Sequence, residues 1–167
     1  KAYVQVKKQV GEARLIIVGP GTRLRKKYES LLQTEQLRDV VFAGYVSQDD
    51  LPRYYATADL FCAPATGEES FGVILLEAMA SGKPIVASRI AGYASVLDDQ
   101  VQGVLVPPRD DGAVADAIIR LMRDPGLCEK MGARGREKAQ EFGWDKVSRR
   151  VLDYYETVLH EHPGKGK

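Results

Sequence analysis

Sulfur and imidazole are scarce in this sequence: two cysteines, Cys62 and Cys128, and two histidines, His160 and His162, both close to the C-terminal end. That supply excludes a disulfide framework and a Cys/His metal cluster, and two isolated thiols in apolar runs predict a reducing compartment. Charge of either sign is not in excess. Twenty-four Lys and Arg face 23 Asp and Glu for a net +1, which removes the broad basic surface that nucleic acid requires. The basic cluster Arg23-Leu24-Arg25-Lys26-Lys27 is read as a solvated helix face. No apolar run reaches the ~18 residues of a membrane span and no signal peptide is visible. The chain is therefore expected to be soluble and cytoplasmic, with peripheral contact at the inner face of a membrane left open.

What is present is an ordinary globular composition, 44% apolar and 28% charged over 167 residues, enough for one domain with a real core. Short β-rich runs alternate with helical patterns, which predicts an α/β fold: a Rossmann-like parallel sheet with helices on both faces. Strands are expected at Leu15–Val18, Val40–Ala43, Leu60–Pro64, Pro84–Ser88 and Gly103–Val106. Helices are expected at Tyr3–Val10, Leu24–Gln36, Leu51–Thr57 and Phe71–Ser81, with a turn-rich stretch at Ala91–Leu97. Beyond the last strand the pattern is purely helical: Asp111–Arg123, Leu127–Phe142, and a last helix from the Gly143-Trp144-Asp145 corner to Leu159. This divides the chain into a Rossmann-like domain over 1–142, a last C-terminal helix over 143–160 and a flexible tail over 161–167.

In open sheets of this kind ligands sit at the carboxyl ends of the strands. The loops there are Gly19-Pro20-Gly21-Thr22, Gly44-Tyr45-Val46-Ser47, Ala65–Ser70 and Ser88–Tyr93. Gly19-Pro20-Gly21 after a strand suggests a dinucleotide fingerprint, but Leu24 stands where the third glycine belongs, which argues against NAD.

The densest signal is Glu69-Ser70-Phe71-Gly72-Val73-Ile74-Leu75-Leu76-Glu77-Ala78-Met79-Ala80-Ser81-Gly82, with two carboxylates eight positions apart across an apolar run. With Ser70 as N-cap, Glu69 lies at the helix mouth and Glu77 two turns inside. Ser70, Val73, Ile74 and Glu77 then share one face, opposite Leu75 and Met79. The rise between the acids is about 10–12 Å, the span from a ribose across a diphosphate to a sugar. Free N–H groups from Phe71 to Ile74 would point at the diphosphate, where the helix dipole favours negative charge. The plainer reading is that Glu77 is a solvated surface acid and Glu69 complements the dipole. Against it, the apolar neighbours of Glu77 describe a helix buried on most of its surface, where an unpaired acid is costly.

The run Ala13-Arg14-Leu15-Ile16-Ile17-Val18-Gly19, then Val41-Phe42-Ala43-Gly44, Tyr55-Ala56-Thr57-Ala58-Asp59-Leu60, Glu69-Ser70-Phe71-Gly72, Glu77-Ala78-Met79-Ala80-Ser81-Gly82-Lys83-Pro84 and Gly103-Val104-Leu105-Val106-Pro107-Pro108 resembles glycosyltransferase family 4. These are retaining enzymes of GT-B architecture, two facing Rossmann-like domains, and the likeness lies within their C-terminal, donor-binding half. Among them it resembles the phosphatidylinositol mannosyltransferases, which share Glu-Ser-Phe-Gly and use GDP-mannose.

The resemblance implies a role for each matching residue. Glu69 would hold hydroxyls of the transferred sugar as the catalytic-site carboxylate, beside Ser70 and the amides of Phe71 and Gly72. Val73 and Ile74 amides would hold the distal phosphate, and Glu77 would accept from the ribose. The Val46 backbone would read the base edge, and Gly19 and Gly21 would let their loop close over the nucleotide. Gly67-Glu68-Glu69 makes this loop a residue longer than in some relatives; Glu69 keeps the spacing to Glu77. A nucleotide diphosphate sugar is the implied substrate, with no metal or other cofactor expected.

The resemblance also implies components outside this sequence: an N-terminal acceptor domain with a histidine, a Gly-Arg…Lys-Gly segment that grips the diphosphate, and a first, central strand. Without that strand its slot is expected to be filled by residues beyond this sequence or by a neighbouring chain. The alternative is direct pairing of Leu15–Val18 with Leu60–Ala63. The fragment alone is expected to transfer nothing. A non-catalytic binding or assembly module of the same fold, and an epimerase or phosphorylase of similar architecture, remain as competing readings.

Overall fold

The computed structural model describes residues 1–21, 25–34 and 37–161. Thr22, Arg23, Leu24, Glu35 and Gln36, and His162 with the tail to Lys167, lie outside the described residues. All five expected strands form: β1 Leu15–Val18, β2 Val40–Gly44, β3 Phe61–Ala63, β4 Ile85–Ser88 and β5 Gly103–Val106. They alternate with α1 Ala2–Gln9, α2 Arg25–Thr34, α3 Leu51–Thr57, α4 Val73–Ala80 and α5 Ala91–Ala94. After β5 come α6 Asp111–Met122, α7 Pro125–Ala139, a short 3-10 turn over Gln140–Phe142, and α8 Trp144–Glu161.

Strand pairing is parallel throughout but falls into two sheets, β1-β2 and β3-β4-β5. The direct pairing of β1 with β3 does not form: β1 pairs with β2 alone, Leu15 opposite Val40, and β3 with β4 alone, Phe61 opposite Ile85. The two edges that would flank a central strand in the doubly wound order 3-2-1-4-5-6 are thus both unpaired within the described residues. Burial follows the same division. β4 and β5 are buried at every position, while Ile16, Ile17 and Val18 of β1 are exposed.

The three-stranded sheet is covered on both faces, which is why its strands read as continuous apolar runs. Ile85, Ala87 and Leu105 face a core with Tyr55, Leu75, Met79, Tyr93, Val96 and Leu97. Val86, Val104 and Val106, one residue out of phase, face Val114, Ala117, Leu121 and Met131. Helix α7 lies so close to the turn that ends α4 that a Cβ at Gly132 would fall 2.1 Å from the Gly82 carbonyl oxygen. Asp110 and Asp124 cap α6 and α7, each carboxylate accepting from a backbone N–H three residues on at 2.9 Å.

Helix α1 ties the small sheet to the rest. Val6 and Ala13 pack with Ala115 and Ile119 of α6, while the Tyr3 hydroxyl donates to the Ala13 carbonyl at 2.9 Å. Lys7 reaches Asp39 just before β2 at 2.8 Å. Helix α8 buries no residue at all. Trp144 is 85% and Leu159 68% exposed, with Val151, Leu152, Tyr154 and Tyr155 also open, a face too broad for a lone stripe. Among the described residues no helix is long and apolar enough to cross a membrane.

Candidate functional site

The start of α4 differs from the expected one in a way that matters. Ser70 is not its N-cap. The helix begins at Val73, and the capping position is Gly72 in the left-handed region, φ 83° and ψ 49°. A glycine takes that conformation at little cost, and here nothing larger fits. A Cβ at Gly72 would lie 2.7 Å from Cδ1 of the buried Tyr93 ring, which backs the loop from α5. The adjacent Gly92 is likewise forced, its missing Cβ pointing at the Glu69 carbonyl oxygen.

The shift trims the set of amides open to a ligand. The Leu75 N–H closes onto the Gly72 carbonyl at 2.9 Å. The Gly72 N–H donates to Oε1 of Glu69 at 3.3 Å, so the carboxylate folds back over its own loop. Val73 and Ile74 N–H groups have no partner among the described residues. Both residues sit exposed at the positive end of the helix dipole. Phe71 turns its ring against Phe142 at 5.8 Å, edge to face.

Glu69 is half-buried, whereas Glu68 is exposed and left-handed at φ 63°. The structure therefore distinguishes the two acids, turning Glu69 toward the helix mouth. Glu77 lies one turn into α4 rather than two, because the helix starts late. It shares the open face with Val73 and Ile74, opposite buried Leu75 and Met79. It is only half-buried, so the expectation of a helix enclosed on most of its surface holds for one side alone. Nor is the acid unpaired: Oε2 accepts from the Tyr55 hydroxyl of α3 at 2.8 Å. Burial, then that hydrogen bond and the charge of Glu77, push ionisation of Tyr55 well above its ordinary range, so the phenol is the donor.

The remaining expected residues form a second group. The Gly19 N–H donates to the Gly44 carbonyl at 2.9 Å, joining the loop that follows β1 to the end of β2. Gly19 has φ 141° and open space where a Cβ would be, and Gly21 is exposed. Val46 is half-buried beside exposed Tyr45. Its turn is pinned by Ser47, whose hydroxyl donates to Asp50 at 3.0 Å while the Asp50 N–H donates back at 3.2 Å. That turn runs directly into α3, so the Tyr55–Glu77 contact connects this group with α4.

Tyr55, Gly92 and Tyr93 are the positioning residues that sequence reasoning missed. The one local signal was the Leu51–Tyr55 spacing, which puts a phenol on the buried side of α3. Elsewhere, Cys62 is raised to about 11 by burial, and Cys128 donates to the Leu121 carbonyl. Both behave as structural thiols. Among the described residues no three His, Cys, Asp or Glu side chains converge as metal ligands would.

Comparison with known proteins agrees with this architecture. The profile of the family Glycosyl transferases group 1 matches residues 1–138. The phosphatidyl-myo-inositol mannosyltransferase of Mycobacterium leprae is 37% identical over 147 residues, which is 88% of this chain and 38% of that protein. Among solved structures, a sucrose-phosphate synthase from Thermosynechococcus elongatus superposes with a TM-score of 0.83 at 30% identity, over 96% of this chain and 42% of that one. The C-terminal domain of a glycosyl transferase group 1 family protein from Francisella tularensis superposes with a TM-score of 0.75 at 22% identity, over 83% of this chain and 76% of that one. The chain thus spans under half the length of the whole enzymes it matches, and its fold is that of the C-terminal half of GT-B glycosyltransferases. This chain belongs to the group 1 glycosyl transferases, glycosyltransferase family 4, as a C-terminal domain of that family.

Proposed function

We propose that this domain binds a nucleoside diphosphate sugar along α4 and serves as the donor half of a retaining hexosyltransferase. The observation that carries the reading is the mouth of α4. Two free amides, Val73 and Ile74, lie at the positive end of a helix dipole, between Glu69 on the loop and Glu77 one turn in. Oriented N–H groups at a helix start bind phosphate without further cations. A carboxylate on each side supplies acceptors for the hydroxyls of ribose and hexose.

In this arrangement the diphosphate lies over Val73 and Ile74, Glu77 accepts from the ribose, and Glu69 leaves Gly72 to accept from the sugar. The Val46 backbone meets the base edge, and Gly19 and Gly21 close over the nucleotide. Stabilising the departing diphosphate is the main contribution of this half to the transfer. The acceptor, held by the preceding domain, attacks the anomeric carbon on the face the diphosphate leaves. Mannose from GDP-mannose, passed to a lipid or glycan at a membrane surface, is the first donor to test, because the Mycobacterium leprae relative is a phosphatidyl-myo-inositol mannosyltransferase.

Calorimetric titration of the full-length protein with GDP-mannose, UDP-glucose and ADP-glucose tests the reading. Saturable binding of one of them is expected. Binding of none would contradict it.

A further inference from the structure

We propose that Tyr55 is a positioning residue for nucleotide recognition: its hydroxyl holds the Glu77 carboxylate in the orientation that receives the ribose diol. The inference rests on the assignment of Glu77 to the ribose given above.

Tyr55 is 9% exposed, and its ring is packed against Phe61 at 5.4 Å between centroids, tilted by 55°. The ring cannot swing, so the hydroxyl is delivered to one place, 2.8 Å from Oε2 of Glu77. A glutamate on an open helix face otherwise samples many rotamers, and ordering it on binding would weaken the complex. Here the ordering is built into the fold. Donation to Oε2 leaves Oε1 without a hydrogen bond among the described residues. The carboxylate also keeps further acceptor sites and has no proton of its own to give. It therefore favours a ligand that presents two hydroxyl donors, as a ribose does.

The hydrogen bond has a second consequence. Tyr55 lies on α3, which leaves the Gly44–Asp50 turn directly, and that turn is locked by Ser47 and Asp50. Tyr55 and Glu77 are 22 positions apart in the chain. One phenol thus links the turn that carries Val46 to the carboxylate on α4, the two elements assigned above to base and ribose.

Tyr55→Phe keeps the packed ring and removes only the donor. The test uses the full-length protein and whichever of GDP, UDP and ADP binds most tightly, together with its 2′,3′-dideoxy counterpart, for wild type, Tyr55→Phe, Glu77→Gln and the double variant. Tyr55→Phe is expected to weaken the ribonucleotide about five-fold, the worth of one lost hydrogen bond, and to leave the dideoxy nucleotide unchanged. Adding it to Glu77→Gln is expected to cost nothing more, since the two act as a unit. Equal weakening of both nucleotides would make Tyr55 merely structural and overturn the inference. So would wild-type affinity in Tyr55→Phe when Glu77→Gln binds weakly. If Glu77→Gln itself binds as wild type, the ribose assignment fails first and this inference falls with it.

Discussion

Gly92 and Glu69 are in backbone contact: a Cβ on Gly92 would fall 2.1 Å from the Glu69 carbonyl oxygen. No flexible side chain stands between them to give way. Gly92→Ala must therefore move the loop that carries Glu69 and the start of α4. We expect a loss of about 1–3 kcal/mol in stability, as for overpacked cores, together with weaker sugar-nucleotide binding. Gly11→Ala is the control, because nothing lies within 4 Å of that position. Denaturant melts of both variants check this; equal midpoints would show that the contact is not restrictive.

Alkaline pH gives a second prediction. Burial is the leading cause that raises the pKa of Tyr55, Tyr93 and Cys62, with Glu77 adding to it at Tyr55 and Glu69 at Tyr93. Each group keeps its proton in the folded state to a higher pH than in the unfolded chain. Above about pH 9 the unfolded state then binds fewer protons than the native one, so stability falls as pH rises. Tyr55→Phe removes one of these groups and should flatten the fall. Urea midpoints across the alkaline range are the measurement, and equal slopes for variant and wild type would count against a buried, proton-holding Tyr55.

Helix α8 leads to a third. Its apolar face finds no cover among the described residues, with Leu152 60% and Leu159 68% exposed. In the GT-B arrangement the last helix crosses to the N-terminal domain, and we expect that domain to bury this face in the full-length protein. Leu152→Asp with Leu159→Asp should then lower the melting temperature of the full-length protein, because two charges enter a dry interface. An unchanged melting temperature would mean that the face stays in water.

Much of the fold was legible in the pattern of the chain. Helix α3 and strand β5 lie where the periodicity put them, Leu51–Thr57 and Gly103–Val106. Turn chemistry and apolar runs are local, and so is their signal. The start of α4 was misplaced because Ser70 is a good N-cap by type, while the actual cap is decided by Tyr93, twenty-one residues beyond Gly72, filling the space that a side chain there would need. The length of β3 was overestimated for a related reason. Leu60 and Pro64 extend the apolar run, but only Phe61–Ala63 pair with β4. Within the site, the acids and their spacing could be read directly. The partner of Glu77 could not, because a phenol on a neighbouring helix leaves no mark in the local pattern.

The central claim is that Glu77 serves the nucleotide and Glu69 the sugar, and one comparison addresses it most directly. In the full-length protein, the affinities of bare GDP and of GDP-mannose, or of the corresponding pair for the base that binds best, are measured for Glu77→Gln and Glu69→Gln. Glutamine at 69 keeps an oxygen for the Gly72 N–H, so the loop is not undone. Glu77→Gln should weaken both ligands alike by about 1.5–3 kcal/mol, the value of a charge-assisted hydrogen bond. Glu69→Gln should weaken the sugar nucleotide and leave the bare diphosphate at wild-type affinity. Equal losses for the two ligands in Glu69→Gln, or unchanged binding in Glu77→Gln, would contradict the account.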